Sequence, residues 1–115
     1  MKVFVIVLDS CRFTHDAFSM LDGIIRKNTT TVTSMKHNVC KYKTKINKKT
    51  TNIEVVVVES AQPNGNGRKR LDYISKAAKR NISAFPTILK QKGNKYVEMS
   101  PTLERTSKNI LKFLE

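Results

Sequence analysis

The sequence predicts one α/β domain: a central mixed sheet of about four strands flanked by helices, with a basic segment inserted at residues 28–52. Three observations predict it. Val3-Phe4-Val5-Ile6-Val7-Leu8 and Val55-Val56-Val57-Val58 are β-branched runs without polar interruption, the pattern of strands buried on both faces. Each is followed by apolar residues at helical spacing, and the chain closes with a turn-separated pair of short strands. At 115 residues and 39% hydrophobic, the chain supports one core and is too short for two, so residues 1–115 are taken as a single domain.

After the first strand, Phe13, Ala17, Phe18, Leu21, Ile24 and Ile25 recur as a helical stripe, which predicts a helix from about Phe13 to Lys27. Residues 28–52 contain no acid, six lysines and seven threonines. Within them Cys40, Tyr42, Thr44 and Ile46 alternate with Lys41, Lys43 and Lys45, which predicts a half-exposed edge strand over Val39–Ile46. A buried strand over Ile53–Glu59 leads to the turn-rich Pro63-Asn64-Gly65-Asn66-Gly67 and a helix with Leu71, Ile74, Ala77 and Ala78 as its apolar stripe. Thr87-Ile88-Leu89 and Tyr96-Val97-Glu98-Met99 flank Gly93-Asn94 as an antiparallel hairpin. Ser100-Pro101-Thr102 is expected to open the last helix, with Leu103, Ile110, Leu111 and Leu114 facing the core.

The formal net charge of +13 makes an acidic partner the expectation: an acidic protein assembly, or nucleic acid bound without sequence specificity. Only eight aromatics are present, mostly on predicted core faces, so base-stacking platforms are not evident. The longest apolar run is Val3–Leu8, far short of the roughly 20 residues of a membrane span, and no export signal is visible. Two cysteines give no disulfide framework, and an intracellular (cytoplasmic) or virion location is expected. His15 and His37 lack metal-ligand spacing, and neither a metal nor another cofactor is expected.

A strand ending in Asp9-Ser10-Cys11 and running into a helix would set the Cys11 sulfur beside unpaired backbone N–H groups and the positive end of the helix dipole. Arg12 adds a cation, so a thiolate is favoured; the alternative is a small buried hydrophobe at a strand end. In Ala84-Phe85-Pro86-Thr87 a proline opens an interior strand, where it lacks the ladder N–H and must sit at an edge, at a bulge or behind a cis peptide. Asn64-Gly65-Asn66-Gly67-Arg68-Lys69-Arg70 has glycines ahead of a basic helix start but neither Walker spacing nor a Lys-Ser/Thr pair, so a flexible loop is preferred to a phosphate cradle.

Phe85-Pro86-Thr87, the following apolar strand, the Gly turn, Tyr96 and the closing helix resemble the C-terminal half of thioredoxin-fold domains, especially those of protein disulfide isomerases. The resemblance covers residues 1–27 and 53–115. It implies a thioredoxin-like fold, a cis Pro86 facing Cys11 and helping Phe85 hold extended substrate, and Arg105 tuning the thiol. Departures are plain: Cys11-Arg12-Phe13-Thr14 lacks the second cysteine of Cys-x-x-Cys, Ser10 replaces the usual aromatic, and Val5 replaces the buried acid. Thr14 can donate a hydrogen bond to a thiolate but cannot attack a mixed disulfide.

The resemblance therefore implies a monothiol thiol-disulfide protein, with Cys11, Thr14, Pro86 and Arg105 at the site and protein thiols or disulfides as partners. The alternative is a redox-inactive thioredoxin-fold adaptor. The basic composition is similar in character to that of thioredoxin-like proteins carried by large icosahedral DNA viruses, which implies a minor capsid role for such an adaptor. Lys41, Lys43, Lys45, Arg68, Lys69 and Arg70 are its expected docking residues.

Overall fold

The computed structural model describes residues 1–9, 23, 30–36, 38–100, 102–104 and 106–114. The elements run β1 (Lys2–Leu8), β2 (Thr30–Lys36), β3 (Val39–Ile46), β4 (Lys49–Val58), α1 (Asn66–Ala78), β5 (Thr87–Lys92), β6 (Lys95–Glu98) and α2 (Ser107–Leu114). Gly23 is helical, as expected; the other residues of the predicted helix over Phe13 to Lys27 lie outside those described.

One mixed sheet has the order β2-β3-β4-β1-β5-β6. β1 pairs parallel with β4 and antiparallel with β5, and β5 pairs antiparallel with β6. Side chains alternate across β1: Val3, Val5 and Val7 join Ile53, Val55 and Ile88 beneath Ile110 and Leu114 of α2. On the opposite face, Phe4 and Ile6 join Val56, Val58 and Leu89 beneath Leu71 and Ile74 of α1. Strands covered on both faces explain why both valine-rich runs lack alternation.

The described residues form a sheet of six strands, not about four, and most of the basic segment belongs to it, as Thr30–Lys36, Val39–Ile46 and the start of Lys49–Val58. Thr30–Lys36 is rich in β-branched residues, which suit a pleated strand, and it pairs antiparallel with β3 despite a register shift between Val32 and Ser34. β2 is thus the edge, and the Lys-faced β3, expected at the edge, is interior. The alternation in β3 is as expected: Lys41, Lys43 and Lys45 are exposed, whereas Thr44 and Ile46 are buried. β4 starts earlier than Ile53, because Lys49–Asn52 continues the antiparallel pairing with β3.

Two helix expectations also change. Ala77 is exposed rather than on the α1 stripe. α2 begins at Ser107, not near Ser100: Thr106 Oγ1 accepts from the Asn109 N–H at 3.1 Å, the bond of an N-cap, and Leu103 remains 49% exposed.

Candidate functional site

β1 and β4 run parallel, so both leave the sheet at the same end, where α1 starts and β5 enters. The Asp9 N–H donates to Val58 O at 3.0 Å, and Asp9 Oδ1 accepts from the Ser60 N–H at 3.1 Å. These bonds lock the exit of β1 to that of β4, two residues before Cys11 in the sequence. Ile6 pairs with Thr87, so Pro86 precedes β5 beside the end of β1 that runs toward Cys11. The Phe85–Pro86 bond is cis. Phe85 is half-buried against the α1-side core, and Thr87 Oγ1 donates to Ala84 O at 2.5 Å, tightening the entry to β5. Cys11, Thr14 and Arg105 lie outside the described residues, as do His15 and His37.

Glu59, which the sequence reading left without a role, organises this end of the sheet. It is 8% exposed, and its carboxylate accepts from Asn38 Nδ2 at 2.5 Å, from the Gly67 N–H at 3.1 Å and from the Arg68 N–H at 3.0 Å. Burial alone pushes this carboxyl up, but the bonds from Asn38, Gly67 and Arg68 together hold it below the ordinary carboxylate range. The first turn of α1 has no acid of its own, so Glu59 supplies the negative charge that a helix N-terminus favours. The signal in the sequence was an acid after a valine run and before a helix whose first turn lacks acids.

The glycines follow from this approach. A Cβ on Gly67 would lie 1.9 Å from Val57 O, and one on Gly65 would lie 2.3 Å from the Glu59 carboxyl carbon. The loop that invited a phosphate reading therefore cradles an internal carboxylate.

The docking residues named from sequence divide into two groups. Arg70 forms a bidentate pair with buried Glu54, with Nε to Oε2 at 2.5 Å and an Nη to Oε1 at 2.7 Å, and its guanidinium lies 4.8 Å from the Tyr73 ring centroid. The Glu54 bond raises the Arg70 pKa further. Arg68 donates a guanidinium N–H to Glu59 O at 3.0 Å. Both arginines thus make contacts within the fold and remain half-exposed. Lys41, Lys43, Lys45 and Lys69 are exposed. On the α1 side, Lys2, Lys41, Asn52, Glu54 and Arg70 border an open cleft of about 330 Å³.

Cys40 is a free, half-buried thiol on the opposite face. It pairs with Val55, which pairs with Val5, so it stands level with the middle of β1 and two strands away. At ~3.3 Å per residue and ~4.8 Å per strand, that is roughly 14 Å from Leu8. Bridging to Cys11 would require the chain beyond Asp9 to double back.

Among the described residues, no three His, Cys, Asp or Glu side chains gather as a metal site, and no helix is long and apolar enough to cross a membrane. No family model, curated protein or solved structure matches the chain.

Proposed function

We propose that the chain is a thioredoxin-like thiol-disulfide protein with Cys11 as its single nucleophile. The supporting observation is the Ile6–Thr87 pairing, which sets Pro86 beside the strand that runs into Cys11. The parallel β1–β4 pair, the β5–β6 hairpin and a helix on each face are compatible with a thioredoxin-like core. In this reading the Cys11 thiolate attacks one sulfur of a partner disulfide, forming a mixed disulfide and expelling the other sulfur as thiolate. With Thr14 in the resolving position, release needs an external thiol, so autonomous turnover is weak or absent. A pH titration of Cys11 alkylation in a Cys40→Ser background tests this. A midpoint below about 8.5, moving upward in Arg105→Gln, supports it; a midpoint at or above that value removes the redox reading.

A second reading, a thioredoxin-fold adaptor such as a minor capsid protein, draws on a different observation. Lys41, Lys43 and Lys45 are exposed on one face of β3, and Glu54, the acid opposite Lys41, is bidentate to Arg70 and reaches Lys41 only at 4.0 Å. This row is suited to an acidic protein surface. Reversing the three lysines to Glu should abolish binding of poly-L-glutamate at physiological salt while leaving Cys11 alkylation unchanged. Binding that survives the reversal excludes β3 as the docking face.

A further inference from the structure

Among the described aromatic side chains Tyr73 is the exception to core placement. It is 62% exposed, whereas Phe4 is buried and Tyr42, Phe85, Tyr96 and Phe113 are half-buried. Its ring is held in place. Arg70, one turn earlier on α1, lies over the ring with its guanidinium 4.8 Å from the centroid, and that guanidinium is itself bidentate to buried Glu54. One ring face therefore rests on an immobilised cation and the rest of the ring is open, which makes Tyr73 a pre-organised aromatic platform at the surface. On α1 itself, Lys69 and Lys76 lie one turn to either side of Tyr73, with Asp72 as the helix's only acid.

The platform stands beside a row of cations. Lys41 Nζ lies 4.0 Å from Glu54 Oε1, which puts Lys41 on the α1 side of the sheet, and by strand alternation Lys43 and Lys45 share that side. At ~3.4 Å per residue these lysines are spaced about 6.8 Å apart. Such a row can follow the phosphates of an extended strand. The open cleft of about 330 Å³ joins row to platform, since Lys41 and Arg70 both border it. A cationic row alone accepts any polyanion, but a ring with an open face favours one that carries flat, unpaired bases. A duplex keeps its bases stacked on one another; a single strand offers them to the protein.

We infer that the α1 side of β3 and β4 binds single-stranded nucleic acid, its phosphates along Lys41, Lys43 and Lys45 and a base stacked on Tyr73. The inference shares the lysine row with the adaptor reading but commits it to a different partner, and it does not depend on Cys11.

The test is fluorescence anisotropy of a labelled oligothymidylate of about twelve nucleotides with the full chain at roughly 0.1 M salt, with a duplex of equal length and poly-L-glutamate as competitors. The single strand should bind, and each competitor should be at least about tenfold weaker. Tyr73→Ala should weaken the single strand by at least about fivefold while keeping the wild-type circular dichroism spectrum. Lys43→Gln with Lys45→Gln should reduce the slope of log affinity against log salt by about 1.4. The chain contains no tryptophan, so Tyr73→Trp introduces a single indole, whose fluorescence the oligothymidylate should quench. An unchanged affinity in Tyr73→Ala, an indole that is not quenched at saturation, or a duplex binding as tightly as the single strand would each overturn the assignment. Poly-L-glutamate binding as tightly as the oligothymidylate would overturn it too, and would leave the face to an acidic protein.

Discussion

Replacing Glu59 should be among the most damaging single changes outside the apolar core, and the damage should depend on pH. The wild-type carboxylate receives three hydrogen bonds, and the Gly67 N–H that supplies one of them is buried. A hydrogen bond to a charged group is worth about 1.5–3 kcal/mol, but three bonds sharing one acceptor do not add, and water can reach Asn38 and Arg68. Glu59→Ala should therefore cost about 3 kcal/mol, and Glu59→Gln, which keeps one acceptor oxygen and loses the charge, about 1.5 kcal/mol. Because the folded-state pKa lies below the unfolded value of 4.5, the stabilisation is complete above that value and is lost as pH falls through the folded pKa. Urea denaturation at pH 7 and at successively lower pH values measures the gap between wild type and Glu59→Gln. The gap should shrink toward zero in acid, where the wild type is itself neutral at this position. A gap that stays constant down to pH 3, or an Ala variant that loses less than about 0.5 kcal/mol, would refute the carboxylate's role at the start of α1.

Gly67→Ala should destabilise by about 2–4 kcal/mol in urea melts, because the added methyl meets the Val57 carbonyl oxygen. Gly93→Ala, which enters open space at a φ of +63°, should cost only about 1–2 kcal/mol. Arg70→Met should cost about 3 kcal/mol by leaving buried Glu54 with only Lys41, at 4.0 Å, as a counter-charge, and the double variant Glu54→Gln/Arg70→Met should recover much of that loss. In an insulin-reduction assay the unmodified protein should show little turnover and Thr14→Cys should show more; rapid turnover by the unmodified chain would mean that another thiol resolves the mixed disulfide.

What could be read from the sequence follows from which interactions are local. The valine-rich β1 and β4 and the Lys/apolar alternation of β3 announce themselves by period, because burial acts on each side chain separately. β2 does not, since its Thr-rich composition acquires meaning only through pairing with β3. The start of α2 was misplaced because Ser100-Pro101-Thr102 is a plausible helix opening, whereas Thr106 makes the cap bond in the structure. Pro86 stood out because a proline at the mouth of an interior strand is chemically conspicuous, and it does precede the interior strand β5. Glu59 and Glu54 passed unnoticed because their partners, Asn38, Gly67, Arg68 and Arg70, are brought to them only by the fold.

The same two acids decide how the chain's positive charge is distributed. A run such as Gly65-Asn66-Gly67-Arg68-Lys69-Arg70 can cradle an external phosphate or an internal carboxylate, because both use the N–H groups at a helix start. Here the carboxylate is covalently part of β4's exit and is held from a second direction by Asn38, so an incoming anion would have to displace an acceptor already in place. Arg68 and Arg70 make bonds to Glu59 and Glu54, and the exposed cations among the described residues are lysines, including those on β3 and along α1. Lysine presents a flexible point charge rather than the rigid fork of arginine. Contacts made through such a face should be salt-sensitive and loosely oriented, which suits a broad acidic surface better than a single phosphate group.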